Sequence, residues 1–228
     1  MQVTAIKTRI FKENEDLEAF ILEHILALQE GAILVVTSKI VALAEGRTAD
    51  LKDKERIIRE ESELVVPTKH TLLTIKEGIV MANAGVDASN ADGKIVLLPK
   101  DSFAAAEIVR AKFLRHFGLK NLGVIITDSR LLPLRAGIVG VALGYAGFKG
   151  VRDYRGTPDL FGRELKLSRT DIADGLATAA VLEMGEGREQ QPLAVIEDAP
   201  VEFVEKVDRT ELHIDIEDDV YRPLFDNL

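Results

Sequence analysis

Two short apolar runs constrain the fold most strongly. Ala32-Ile-Leu-Val-Val-Thr37 and Gly123-Val-Ile-Ile-Thr127 are rich in β-branched residues and show no polar alternation. A run of that length and type reads as a strand buried on both faces. Each run stops abruptly at polar residues. The first leads into Ser38-Lys39 and then Ile40 to Gly46, a helical turn or two ended by glycine. The second ends at Asp128-Ser129. A buried strand that ends in a carboxylate presents that carboxylate on a rigid element. Ser38-Lys39 has two readings. At a helix start, a hydroxyl, a cation and free backbone N–H groups suit an anion. Alternatively Ser38 is a plain N-cap and Lys39 is solvated, which the spacing alone favours.

The remaining pattern is mixed. Residues 2–10 predict a first strand, and Asn14 is the expected cap of a helix carrying Leu17, Phe20, Ile21, Ile25 and Leu28 at spacings of three and four. His24 on that stripe reads as a core-edge histidine. Residues 50–63 are charged and predict a solvated helix. Residues 63–81 predict paired strands turning at Lys76-Glu-Gly78. Asp101-Ser102 caps a helix from Phe103 to Phe117 that Gly118 ends, with His116 in a last turn that favours a cation. Glycines at 137, 140, 144 and 147 in an apolar strand point to bulges or a neighbouring backbone. They do not match a dinucleotide-binding fingerprint. Residues 148–166 predict an ordered loop or short hairpin. Thr170 is the expected cap of a helix over Asp171 to Glu183, followed by a strand at Leu193–Ile196. The tail from Glu202 alternates at Leu212, Ile214 and Ile216, which predicts an edge strand with His213 turned to solvent. No strict βαβ alternation is present, so the expected class is α+β with mixed, largely antiparallel sheets and helices. The chain is expected to form a single domain over residues 1–228, or two intertwined lobes.

A net charge of -9 argues against a nucleic-acid partner held by a basic surface. With no cysteine, thiolate metal sites, disulfides and cysteine nucleophiles are excluded. No segment approaches the ~20 apolar residues that span a bilayer, and the N-terminus has no leader-like run. A cytoplasmic protein without a membrane partner is the expectation.

A second polar concentration lies at Met81 to Asn90, where Asn83, Gly85, Asp87, Ser89 and Asn90 fall close together. All-oxygen donors suit Mg²⁺ or Mn²⁺, which keep positions open for water and phosphate. The same residues also make ordinary turns. Thr127-Asp128-Ser129 strengthens the metal reading, because it offers a second oxygen cluster on a strand end.

Taken in order, several segments resemble the coenzyme F420:L-glutamate ligase family. They are Thr37-Ser-Lys-Ile-Val-Ala-Leu-Ala-Glu-Gly-Arg47, Ala82-Asn-Ala-Gly-Val-Asp-Ala-Ser-Asn90, Leu97-Leu-Pro99 and Ile126-Thr-Asp-Ser129. The series continues with Arg135-Ala-Gly-Ile-Val-Gly-Val-Ala-Leu-Gly144, Asp153-Tyr-Arg-Gly156, Asp159-Leu-Phe-Gly-Arg-Glu-Leu165, Asp171-Ile-Ala-Asp174 and Met184-Gly-Glu186. The resemblance implies a γ-glutamyl-ligase-like fold, an intertwined homodimer and a GTP-dependent reaction. In that reaction a carboxylate of the coenzyme precursor becomes an acyl phosphate, which the amine of L-glutamate attacks. It further implies one or two Mg²⁺ or Mn²⁺ ions on Asp87, Asp128, Ser129 and Glu186. Ser38, Asn90, Met184, Gly185 and Gly187 are the implied nucleotide contacts. Lys39 and Arg135 are added here as phosphate or carboxylate clamps, since Arg suits a bidentate carboxylate.

The chain also departs from the family pattern. Arg9-Ile-Phe-Lys12 replaces the usual Gly-Ile-Pro-type loop, Leu43 a lysine, and Arg130-Leu-Leu-Pro-Leu-Arg135 a Gly-Arg pair. Asp174-Gly-Leu176 stands for Asp-Glu-Leu, Glu186 for a glutamine, and the stretch from Gly46 to Glu63 is short. These changes bear on nucleotide and acceptor choice. The alternatives are a related ligase joining another amine and carboxylate, or a catalytically silent dimeric binding protein.

Overall fold

The computed structural model describes residues 1–225. Its centre is a five-stranded sheet ordered β1 (Gln2–Ile6), β12 (Leu193–Glu197), β2 (Ile33–Thr37), β8 (Gly123–Leu131) and β9 (Ile138–Ala146), with strands numbered along the chain. β2 and β8 are parallel, while β1–β12, β12–β2 and β8–β9 are antiparallel. The α+β expectation with largely antiparallel pairing holds.

Both apolar runs are buried on both faces, as their lack of alternation implies. Leu34, Val36, Val124 and Ile126 point to one side, where they meet Phe20 and Ile21 of α1 (Leu17–His24) and Val109 and Phe113 of α4 (Ser102–Phe117). Ile33, Val35 and Ile125 point to the other, against Ala173, Leu176, Ala177 and Ala180 of α5 (Ile172–Met184). The glycine pattern of β9 lets these helices come close. A Cβ on Gly140 would strike the backbone of Ala177, and one on Gly144 the backbone of Ser102 and Phe103. The register also shifts between Ile126 and Thr127, a bulge of the kind the glycines imply.

A smaller lobe carries β3 (Thr48–Asp50) paired with β7 (Lys94–Val96), and the meander β4 (Leu64–Pro67), β5 (Leu72–Lys76) and β6 (Ile79–Ala82). Its turn falls at Glu77 and Gly78, both with positive φ, where a tight hairpin needs them. Ile57 and Ile58 of α3 (Lys54–Glu60) pack with Val86, Ile95 and Leu97 beneath it. The charged stretch 50–63 is therefore not one solvated helix. It is a strand end, a 3₁₀ turn and a short helix with a buried apolar edge.

Other expectations need correction. Asp16, not Asn14, caps α1, accepting from the amides of Glu18 and Ala19 at 2.9 Å; Asn14 sits in a left-handed turn. α1 ends at His24, which docks at the core edge with Nδ1 2.8 Å from the Phe20 carbonyl. Asp171, not Thr170, caps α5, because Thr170 pairs with Arg152 in the hairpin of β10 (Val151–Asp153) and β11 (Arg169–Asp171). The first strand stops at Ile6. The tail from Glu202 forms no edge strand among the described residues, and ends in α6 (Arg222–Phe225). Asp208, Asp215 and Asp219 each accept the amide of the second residue ahead, and these repeated Asx turns break up the extended backbone that Leu212, Ile214 and Ile216 would need. His213 is exposed, as expected.

Candidate active site

Parallel pairing of β2 and β8 puts their C-terminal ends side by side, with Thr37 opposite Thr127. The next residues, Ser38-Lys39 and Asp128-Ser129, therefore meet. In a sheet with one parallel pair, the space beyond those carboxyl ends is where ligand contacts can converge.

Ser38 begins α2 (Ser38–Ala44) and is 4% exposed. Thr37 occupies the cap position and makes no side-chain cap bond, so Ser38 is not the N-cap of the simpler reading. Its hydroxyl bonds the Asp128 carboxylate, as does the backbone amide of Ser129. Burial nevertheless pushes Asp128 up to about 6, and Glu186 adds to the rise against the pull of Lys39. Glu186 is raised as well, first by burial and then by the carboxylates of Asp87 and Glu189, although the Ser129 side chain bonds it.

Asp87 arrives from the other side. Its backbone pairs with Val96 in both directions, at 3.0 and 2.8 Å, which fixes the loop after β6 to β7. Asn83 takes a structural role there. Its side-chain oxygen accepts from the Thr71 hydroxyl at 2.7 Å and the Leu72 amide at 3.2 Å. The Asp87 carboxylate accepts from the Ser89 amide at 2.8 Å and from Lys39 Nζ at 2.6 Å. Lost solvation raises Asp87, but the bonds from Lys39 and Ser89 outweigh it, and the group ends below its ordinary value. Lys39 is thus engaged, not solvated.

The third wall follows α5. Met184 is buried at the helix end, and Gly185 turns the chain with φ +78. Gly187 donates its amide to Glu189 at 2.8 Å and accepts from Asn90 Nδ2 at 3.3 Å.

These walls enclose a cavity of about 1040 Å³, large enough for more than one small molecule. Ser38, Lys39, Asp87, Asn90, Asp128, Ser129, Met184, Gly185, Glu186 and Gly187 all line it. Arg135 does not. It is exposed in the loop between β8 and β9, its amide 3.3 Å from the Leu132 carbonyl, so a clamp role at this cavity does not fit its place in the chain. Arg130 was missed. It lies two residues beyond Asp128 on β8, half-buried, where burial lowers its pKa against the carboxylates of Asp174, Asp128 and Asp171. Its i+2 spacing from Asp128 was the available signal. Glu13, bonded by Lys94 and Thr48, does line the cavity and was missed. Nothing local in the sequence links those three residues.

The donors are carboxylates and hydroxyls, the set a hard divalent ion prefers. Among the described residues, no three acidic, histidine or cysteine side chains form a ready-made cage. Asp87, Asp128, Ser129 and Glu186 nevertheless offer oxygens of that kind to one cavity.

An α+β protein with a carboxylate-lined cavity beyond one parallel strand pair is of the small-molecule-binding, enzyme-like class. The match to the family model for F420-0:gamma-glutamyl ligase spans residues 5–198, and the chain belongs to that family. It is similar to the coenzyme F420:L-glutamate ligases of Archaeoglobus fulgidus (35% identical, covering 82% of this chain and 83% of the relative) and Methanocaldococcus jannaschii (35%, 89% and 90%). That of Methanococcus maripaludis strain C7 is 35% identical over 97% of each chain.

Proposed function

We propose that this protein is an amide ligase that adds L-glutamate to the precursor of coenzyme F420, using a nucleoside triphosphate, in the first instance GTP. The observation that carries the reading is the convergence of Ser38, Asp128, Asp87 and Glu186 on one cavity, in a chain whose relatives bear that ligase name over most of their length. The acceptor carboxylate attacks the terminal phosphorus, the bond to the leaving diphosphate breaks, and an acyl phosphate forms. The glutamate amine then attacks the acyl carbon, loses a proton, and expels phosphate.

Both steps bring anions together, so the protein must supply opposite charge and exact placement. Asp87, Asp128, Ser129 and Glu186 would hold Mg²⁺ or Mn²⁺, which neutralises phosphate charge when bound. Ser38 and Asn90 orient the nucleotide, and the backbone from Met184 to Gly187 lines it. Lys39, bonded to Asp87, is a cation available to this chemistry. A related ligase acting on another amine or acceptor shares every one of these features. A silent binding protein would have no use for carboxylates clustered on one cavity.

A homodimer belongs to the same proposal. Leu160 and Phe161 project 97% and 90% exposed from the excursion between β10 and β11, and Leu134 is fully exposed beside Arg135. Apolar tips of this size mark surfaces that a second copy can cover.

The test is thermal stabilisation by GTP, ATP and GDP with and without Mn²⁺. A ligand present at ~100 times its Kd adds about 2.7 kcal/mol. A shift that needs both GTP and Mn²⁺ and is lost in Asp128→Asn supports the ligase site. No shift with any nucleotide removes the ligase reading.

A further inference from the structure

Lys39 makes an unusual set of contacts for a lysine at a helix start. Its Nζ lies 2.6 Å from Asp87 Oδ2, 2.8 Å from the Ser89 carbonyl and 3.3 Å from Ser89 Oγ. Ser89 in turn donates its hydroxyl to the same Asp87 oxygen at 2.5 Å. One ammonium is thus held by a carboxylate, a carbonyl and a hydroxyl, which are the oxygen types a hard divalent ion takes. The charge of Lys39 is also felt at Asp128 and Glu186, so it acts on three of the acidic side chains that line the cavity. An ammonium is a compact point charge on a flexible stem and can move where a guanidinium fork would be locked. The Lys39 side chain keeps 27% of its surface exposed and Asp87 46%, which leaves room for that movement.

We propose that Lys39 is a resident counter-ion of the Asp87–Ser89 oxygens and yields them when a divalent ion arrives with its nucleotide. Displaced from Asp87, the ammonium is released within the same cavity, where the incoming phosphates are its new partner. Lys39 and the divalent ion therefore compete, while Lys39 and the phosphates cooperate. Two consequences follow. The free protein binds a divalent ion poorly, because the ion must evict a cation already in place. The ion and the nucleotide bind best together, because each compensates what the other displaces. This inference rests on Asp87 being a ligand of the divalent ion, as in the proposed function.

The experiment measures Mn²⁺ binding to the full chain by calorimetry, first without nucleotide and then with GDP, for the wild type, Lys39→Met, Lys39→Arg and Asp87→Asn. Methionine keeps most of the stem packing and removes the charge. Lys39→Met is expected to bind Mn²⁺ alone about tenfold more tightly than wild type, a difference of about 1.4 kcal/mol, and to bind GDP more weakly. Lys39→Arg, which keeps the charge on a fork that is harder to displace, is expected to bind Mn²⁺ alone no more tightly than wild type. Mn²⁺ affinity unchanged or weakened in Lys39→Met, with binding lost in Asp87→Asn, overturns the counter-ion role and leaves the ligand assignment standing. Mn²⁺ binding that is the same in Asp87→Asn as in wild type overturns both.

Discussion

Asn90 and Gly187, 97 positions apart, are joined by a bond from Asn90 Nδ2 to the Gly187 carbonyl at 3.3 Å. It ties the loop carrying Asp87 to the loop carrying Glu186, across the cavity. Asn90 is exposed and holds a positive φ of 51°, a conformation asparagine tolerates better than most residues. The bond lies at a rim and contributes little to the core.

Replacing Asn90 by glycine keeps the backbone conformation and removes only the side chain. Stability should change by less than about 0.5 kcal/mol. Nucleotide affinity should fall by roughly five- to tenfold, the size of one lost bond together with a freer loop. Calorimetric titration beside a melting curve checks both. Unchanged affinity would mean that the rim bond does not order the nucleotide loops.

Asp128 makes stability depend on pH in a definite direction. Its folded value of about 6 lies above its ordinary 3.8, because burial disfavours the charged form. The folded state therefore keeps a proton that the unfolded chain has already lost. That contribution is fully present below about pH 4 and is lost as pH rises through about 6. Asp128→Asn cannot ionise, so it should be more stable than wild type by about 3 kcal/mol at pH 7.5 and no more stable near pH 4. It should also lose Mn²⁺-dependent nucleotide binding. Urea unfolding at the two pH values is the measurement, and equal differences at both would contradict the burial argument.

Much of this site was legible because strand ends are local features. Ser38-Lys39 and Asp128-Ser129 each follow an apolar run, and the parallel register of β2 and β8 does the rest. What the residues alone could not supply was that register. Without it, Lys39 reads as solvated and Ser38 as a cap, whereas the fold places one on Asp87 and the other on Asp128. Arg135 lies outside the cavity for the opposite reason. It is near Asp128 in the chain, but β8 runs on to Leu131 and carries it out of the cavity. The late tail was misread because three alternating apolar residues outweighed the aspartates between and around them, whose side chains bond the backbone locally.

The glycines of β9 yield a prediction on stability. A Cβ on Gly144 would overlap the backbone at the start of α4, which has no flexible end to give way. Gly144→Ala should destabilise by about 2–4 kcal/mol, through displacement of α4 and not through backbone strain. Gly175, on α5, meets nothing within 4 Å and serves as the control. Gly175→Ala should be neutral or stabilising by up to about 1 kcal/mol, as expected for alanine in a helix. Denaturant midpoints for the two variants separate packing from helix propensity.

The projecting turn at Asp159 to Arg163 gives the last prediction. Asp159 accepts the amides of Phe161 and Arg163 at 2.8 and 2.9 Å, so the turn is ordered by its own bonds while Leu160 and Phe161 point outward. Holding two large apolar side chains in water on an ordered turn forgoes roughly 1.5–3 kcal/mol each that burial would supply. A second copy of the chain that covers them recovers that energy. A Leu160→Glu, Phe161→Glu double variant should then shift the sedimentation coefficient from dimer to monomer, while its melting curve at low protein concentration stays close to that of wild type. A wild-type chain that sediments as a monomer at all concentrations would instead leave the turn free for a different partner, and the cavity would have to function within one chain.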